Sequence, residues 1–204
     1  MSATATPMFP LGSVLFPHMP LPLRLFESRY LKMLARLLDE PDPQFGVVLI
    51  ERGQEVGGGD QRFALGTMAR VVRVQAQEGF MAVVAVGTGR FRVAAWLAEE
   101  PYPLAEVEPL PDLRWAQGLQ SARDEAERLV REALSMTREL PAVALDFDLA
   151  EDPLTACWQL AALTPVGELD HLRLLGAESV PELLDLIRRL AGDAVEARRF
   201  GEGD

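Results

Sequence analysis

Residues 9–30 read FPLGSVLFPHMPLPLRLFESRY, and this stretch decides the fold. Prolines at 10, 17, 20 and 22 exclude a helix across its first part. Each lacks an amide hydrogen and has a fixed φ, which also argues against a central strand. What remains are short extended pieces near 14–16 and 22–25. The pattern then changes at Glu27-Ser28-Arg29-Tyr30. Tyr30, Leu31, Leu34, Leu37 and Leu38 recur at a helical period, so residues 27–38 predict a helix. The run Asp39-Glu40-Pro41-Asp42-Pro43 ends it. Pro10, Leu11, Phe16, Pro17, Leu23 and Phe26 are expected at strand starts and in the core.

Before this stretch, residues 1–8 show no pattern and are expected to be a disordered tail. After it, FGVVLI at 45–50 is a short apolar run with β-branched residues, the mark of a buried strand. Residues 51–61, with three glycines at 57–59, read as a loop tip. Strands follow at 66–75 and 80–86, spaced as a hairpin, then at 89–96. Residues 103–108, bounded by prolines, read as an edge strand.

Past Pro111 the text becomes helical. Asp112 is expected to cap a long helix to about residue 140, with Leu119, Ala122, Ala126, Leu129, Val130, Ala133 and Leu134 on one stripe. Asp152-Pro153 is a cap followed by proline at the first helical position. A further helix begins near Pro165, carries Leu169, Leu172 and Leu175, and ends at Gly176. Ser179-Val-Pro-Glu182 is a capping box opening the last helix. The fold class is therefore α+β, with strands first and helices afterwards. The expected divisions are a tail at 1–8, a β-rich region at 9–111, a helical bundle at 112–197 and a tail at 198–204.

The chain has 204 residues and a formal net charge of −11. The first 111 residues hold 10 basic and 12 acidic side chains; the remainder holds 10 and 19. This balance argues against nucleic acid and against an anionic membrane surface. There is no apolar run near the ~18 residues that a membrane-spanning helix needs. The first 20 residues do not read as a signal peptide. With a single cysteine, Cys157, no internal disulfide can form, and a cytoplasmic location is the simplest expectation.

The chemistry of common enzymes is missing. No phosphate loop occurs, since Gly57-Gly58-Gly59 is followed by no lysine and opens no helix. Gly87-Thr-Gly89 leads into a strand, unlike a dinucleotide-binding turn. Lys32 is the sole lysine, and it reads as a solvated helix position and not as half of a serine–lysine dyad. His18, His171 and Cys157 are too scattered for a metal site. The acids at 146, 148, 151 and 152 lack the glycine and terminal glutamate of a calcium loop. No cofactor is expected. Arg90 and Arg92 with Arg70 and Arg73 would form a basic strip only if nearby acids left them unpaired. Trp96, Trp115 and Trp158 read as packing residues.

Five motifs in order resemble the amino-terminal substrate-binding domain of Lon proteases. They are the 9–30 stretch, FGVVLI at 45–50, LGTMARVVRV at 65–74, VGTGRFRV at 86–93 and YPLAEV at 102–107. LRLL at 172–175 and the last helix are similar to that domain's helical part. The resemblance covers nearly all of 9–195. It implies a β-rich, PUA-like pseudo-barrel half packed against a C-terminal α-helical bundle. It further implies a non-catalytic protein-binding module without the ATPase or protease of Lon, akin to the stand-alone members. Cereblon, a ubiquitin-ligase receptor, shares the domain and binds a partner protein with it. The expected partners are unfolded or degron-bearing segments, held in a groove between the halves or by strand addition, with a separate protease or ATPase as a further partner. RNA binding, as in other PUA-like barrels, and a dedicated adaptor role remain open alternatives. Arg24, Glu27, Arg29, Tyr30, Met68 and Arg90 are the candidate residues, for partner contact or for fixing the helix on the sheet through a Glu27 or Arg29 pairing with strand charges such as Arg90. Met19, Pro20 and Met81 are further groove candidates. Glycines 46, 66 and 87 are expected at close backbone approaches.

Overall fold

The computed structural model describes residues 5–52, 61–136 and 148–201, with the side chains of Arg52 and Phe200 left aside. The chain divides into two compact units, 1–112 and 113–204.

The first unit holds β1 (Thr6–Leu11), β2 (Pro20–Leu25), α1 (Ser28–Leu37), β3 (Gln44–Arg52), β4 (Gln61–Gln77), β5 (Phe80–Trp96) and β6 (Leu104–Pro109). β1 runs parallel to β3, and all other pairs are antiparallel. The order is β2-β5-β4-β3-β1-β6, and β6 also pairs with β5. Five strands therefore close into a ring, β1-β3-β4-β5-β6-β1, which leaves no free edge along the paired stretch. β5 makes this possible by its length. Its first part, 81–86, pairs with β2, and its last part, 91–96, pairs with β6, while β4 holds its other side.

Alternation along the strands feeds two apolar clusters. Phe9, Phe45, Val47, Ala69, Val83 and Ala85 point to one face, where α1 covers them with Tyr30, Met33, Leu34 and Leu37. The Phe9 ring lies 4.2 Å from that of Tyr30 and 6.0 Å from that of Phe45. Met8, Val48, Phe91 and Ala105 fill the opposite face. Burying each large side chain stabilises the fold by roughly 1.5–3 kcal/mol. The glycines of the Gly-Thr motifs are shaped by this packing. A Cβ on Gly66 would run into the Val47 carbonyl oxygen and the Phe91 ring, and one on Gly87 into the Phe16 carbonyl oxygen. The wholly buried Thr67 donates its hydroxyl to the Leu15 carbonyl at 2.6 Å, tying β4 to the proline-rich segment.

Several expectations change here. The tail expected at 1–8 gives way to a strand from Thr6, in which Met8 is completely buried. The extended piece expected at 14–16 lies outside any strand. Pro10 sits inside a strand with two neighbours because β6 meets β1 only at Thr6 and Pro7. The Met8 amide donates to Pro103 on that side. Pro10, two residues on, turns its hydrogen-less nitrogen the same way, where no strand awaits a donor. The strands expected at 80–86 and 89–96 are one strand, and the expected edge strand at 103–108 closes the ring.

The second unit holds α2 (Gln120–Ser135), α3 (Pro153–Leu163), α4 (Glu168–Leu175) and α5 (Val180–Gly201). The helix expected from Asp112 begins at Gln120, because Gly118 adopts φ +90, which a right-handed helix cannot contain. Its expected end, beyond 136, lies outside the described residues, as do the 53–60 loop tip and Asp146. Asp152 caps α3 as expected, its Oδ2 accepting from the Thr155 amide at 2.8 Å. Ser179 Oγ accepts from the Glu182 amide at 3.3 Å, and Glu182 accepts in turn from the Glu178 amide at 2.9 Å, one residue ahead of the usual box partner. Val130, Leu160, Leu174, Leu183, Leu184 and Ile187 make the core. Trp158 is buried beside Cys157, whose thiol is pushed up to about 11 by burial. Leu169, expected inside, is 64% exposed, since α4 turns Leu174 and Leu175 inward. α5 runs through Gly201, into the tail expected at 198–204, whose last three residues lie outside the described ones.

Candidate peptide-binding surface

β2 and the turn into α1 build the most distinctive surface of the first unit. The strand alternates, so Leu21, Leu23 and Leu25 turn toward the core while Pro20, Pro22 and Arg24 face solvent. Continuing that alternation puts Phe26 outside, where it is 57% exposed. Glu27 occupies the N-cap position of α1, but its carboxylate makes no cap hydrogen bond. It instead accepts from Arg29 Nε at 3.0 Å. The Arg29 guanidinium in turn lies 4.5 Å from the centre of the buried Tyr30 ring. These three side chains lock the start of α1, and Tyr30 anchors it against Phe9.

A hollow of about 370 Å³ opens beside them, lined by Phe9, Leu21, Leu23, Phe26 and Tyr30 among others. A second hollow of about 340 Å³ shares Arg24 and Phe26 with it and adds Glu78, Gly79 and Phe80 from the β4–β5 turn. Arg24 stands 4.2 Å over the Phe80 ring. Register explains that contact: Arg24 pairs with Ala82, and Phe80 lies two residues away on the same face of β5. The outcome is an apolar floor with an exposed aromatic and a cation–aromatic rim. Such a surface can take up an apolar or aromatic side chain.

Of the candidate residues, the structure brings together Arg24, Glu27, Arg29 and Tyr30. Met68 lies apart, in a third hollow of about 340 Å³ with Pro7, Arg36 and Asp42. Arg90 is in neither place. It is 6% exposed and donates from Nη2 to the Pro111 carbonyl at 3.0 Å. Burial lowers its pKa, and the nearby Asp112 carboxylate opposes that shift. Glu27 pairs locally with Arg29 at 3.0 Å. The expected basic strip is broken up, because Arg90 is buried and Arg70 pairs with Asp42 at 2.7 Å. Met19 and Met81 pack against the main core.

Phe26 and Phe80 are what the sequence reading missed. The apolar character of Phe26 suggests the core, whereas the alternation of Leu21, Leu23 and Leu25 assigns position 26 to the other side. Phe80 carried no such signal, as its role depends on the register of β2 on β5. Trp96, expected to be packed, is 37% exposed and lies under the Arg62 guanidinium at 4.7 Å. Among the described residues no cluster of His, Cys, Asp and Glu is arranged to hold a metal. None of their helices is long and apolar enough to cross a membrane.

Residues 5–191 match the family model of the ATP-dependent protease La (LON) substrate-binding domain. The chain is 30% identical over 145 residues to Lon protease 2 of Myxococcus xanthus, covering 69% of this chain and 17% of that protein. It is 28% identical over 206 residues to Lon protease 2 of Sorangium cellulosum, covering 97% of this chain and 26% of that protein. It thus spans about a quarter or less of the length of these relatives. Among solved structures, the Lon N-terminal domain protein from Xanthomonas campestris superposes with a TM-score of 0.61 at 28% identity, covering 90% of this chain and 97% of that one. The N-terminal domain of the Mycobacterium avium complex Lon protease shares the fold, with a TM-score of 0.68 at 17% identity and coverage of 93% and 99%.

Proposed function

Because the chain belongs to the Lon substrate-binding domain family, we propose that it is a non-catalytic module that holds unfolded or degron-bearing segments of client proteins. The region matched is the substrate-binding part of Lon, not its ATPase or protease. The observation that carries the reading is Phe26, a large aromatic left 57% exposed at the junction of two hollows. A single exposed ring is ordinary, but Phe26 lines both hollows and joins their apolar walls into one surface, which is what supports a contact role. In this reading Arg24 and Phe26 touch the client, while Glu27, Arg29 and Tyr30 hold the turn that presents them. Met68 and Arg90 serve packing. A separate protease or ATPase receives the client, and the setting is cytoplasmic protein quality control.

The test is fluorescence anisotropy with labelled, reduced and carboxymethylated α-lactalbumin, a permanently unfolded chain. Saturable binding is expected, with native α-lactalbumin failing to compete. Phe26→Ser should weaken binding about tenfold, the loss of one well-packed aromatic contact, and leave the melting temperature unchanged. Equal affinity of wild type and Phe26→Ser would remove this surface from the reading. No binding by the wild type would remove the reading itself.

A further inference from the structure

We propose that the open edge of β4, residues 72–77, takes up an extended acidic segment of a client protein as an added strand; this rests on the client-binding reading and gives that reading a second contact. The ring closes only part of the sheet. β3 leaves β4 at the Gln44–Arg70 pair, and the Val71 amide makes a last bond to the Pro43 carbonyl at 2.9 Å. Beyond it β4 continues to Gln77 with, among the described residues, β5 on one side only.

The hydrogen-bonding parity of this edge follows from its neighbours. The Gly87 amide donates to the Met19 carbonyl at 2.9 Å, so odd-numbered residues of β5 from 81 to 87 face β2. Even-numbered residues therefore face β4, where Phe80, Ala82 and Val84 pair with Gln77, Gln75 and Arg73. The main-chain groups of Val74 and Ala76 point the other way, and no hydrogen bond among the described residues reaches them. Val72 is 56% exposed beside them.

The other open edge contrasts with this one. By the same parity Pro20, Pro22 and Arg24 are the outward positions of β2, so two of its three outward donors are removed by proline. One edge is thus protected against strand addition, whereas the other carries intact N–H and C=O groups in the spacing an added strand needs.

Charge selects the occupant. The segment 70–77 holds Arg70 and Arg73 and no carboxylate. Arg70 is engaged by Asp42, while Arg73 makes no ion pair among the described residues. A second copy pairing through the same edge would bring like charge to Arg73. An acidic extended segment supplies the complement.

The probe is a fluorescein-labelled decapeptide of alternating valine and glutamate, read by anisotropy. The wild type should bind it saturably. Val74→Pro removes one outward donor without touching the β5 ladder and should weaken binding about tenfold or more. Arg73→Glu should weaken it too and shift preference to the valine–lysine decapeptide. Should Val74→Pro fail to fold by circular dichroism, a decapeptide N-methylated at alternate amides decides the matter on the wild type, where it should not bind. Unchanged affinity for Val74→Pro or for the N-methylated peptide overturns the proposal. So does sedimentation showing a wild-type dimer that Val74→Pro dissolves, which would make a second copy the occupant. If carboxymethylated α-lactalbumin binds in a Phe26-dependent way while the decapeptide does not, the edge proposal falls and the client-binding reading stands. If neither binds, both fall.

Discussion

At the scale of single residues, the fold depends on where atoms are missing. Gly66 leaves room for the Val47 carbonyl oxygen and the Phe91 ring. Both are held in place, one by the β3–β4 ladder and the other by the smaller core cluster. Gly66→Ala should therefore cost about 1–3 kcal/mol, the usual penalty of overpacking a rigid site. Gly89 lies in the same sheet with open space above its Cα, so Gly89→Ala should cost far less. Urea unfolding of both variants checks the contrast; equal midpoints would mean that the Val47 carbonyl yields more easily than a paired strand should. Arg90 shows the opposite device. Its charge is buried because the guanidinium has a carbonyl partner at Pro111 and an acid nearby at Asp112. It ties the end of the chain past β6 to β5, a structural use that residue type alone did not separate from a binding one.

At the scale of elements, local chemistry was legible where it is complete within a few residues. Asp152-Pro153 is such a case. Both the amide and the hydroxyl of Thr155 donate to Asp152 Oδ2, at 2.8 and 2.7 Å. Asp152→Ala should cost about 1 kcal/mol, the ordinary worth of such a cap. That lowers the melting temperature by roughly 2–4 °C. Asp152→Asn should keep most of the loss from appearing, because an amide oxygen accepts the same bonds; a thermal melt of the two variants distinguishes them. The start of α2 differs from its expected place for a related reason. Asp112 has the right side chain for a cap, yet Gly118 adopts a left-handed conformation that ends any helix begun before it. A glycine permits that conformation without announcing it. The strand break expected within β5 fails similarly, since Gly87 marks a close approach to the Phe16 carbonyl, Gly89 faces open space, and neither turns the chain.

At the scale of the whole chain, the charge pattern bears on partners. Arg29, Arg62 and Arg70 are engaged by Glu27, Glu99 and Asp42, and Arg90 is buried. These four arginines are therefore not set out for a phosphate backbone, which the chain's net −11 also repels. Labelled single-stranded RNA should show no anisotropy change even at low ionic strength, where phosphate contacts are strongest. Binding that weakened steeply with added salt would reopen the RNA reading drawn from PUA-like barrels. The family match over residues 5–191 concerns substrate binding, and the two surfaces proposed here, the Phe26 junction and the β4 edge, lie on the first unit.

The sequence alone determined the helix periods, the caps of α3 and α5, the glycines at close approaches, the α+β class and the family. Each of these is written in spacing of a few residues or in motif order, because helix geometry and capping are short-range. The tertiary structure decided what depends on which strands meet and in what register. It made 80–96 one strand with two successive partners, closed the ring through β6, admitted Pro10 between two neighbours and left the β4 edge open. It also turned Phe26 outward and Arg90 inward. Strand pairing is a choice among distant segments of similar propensity, and a one-residue difference in register reverses which side chains face the core.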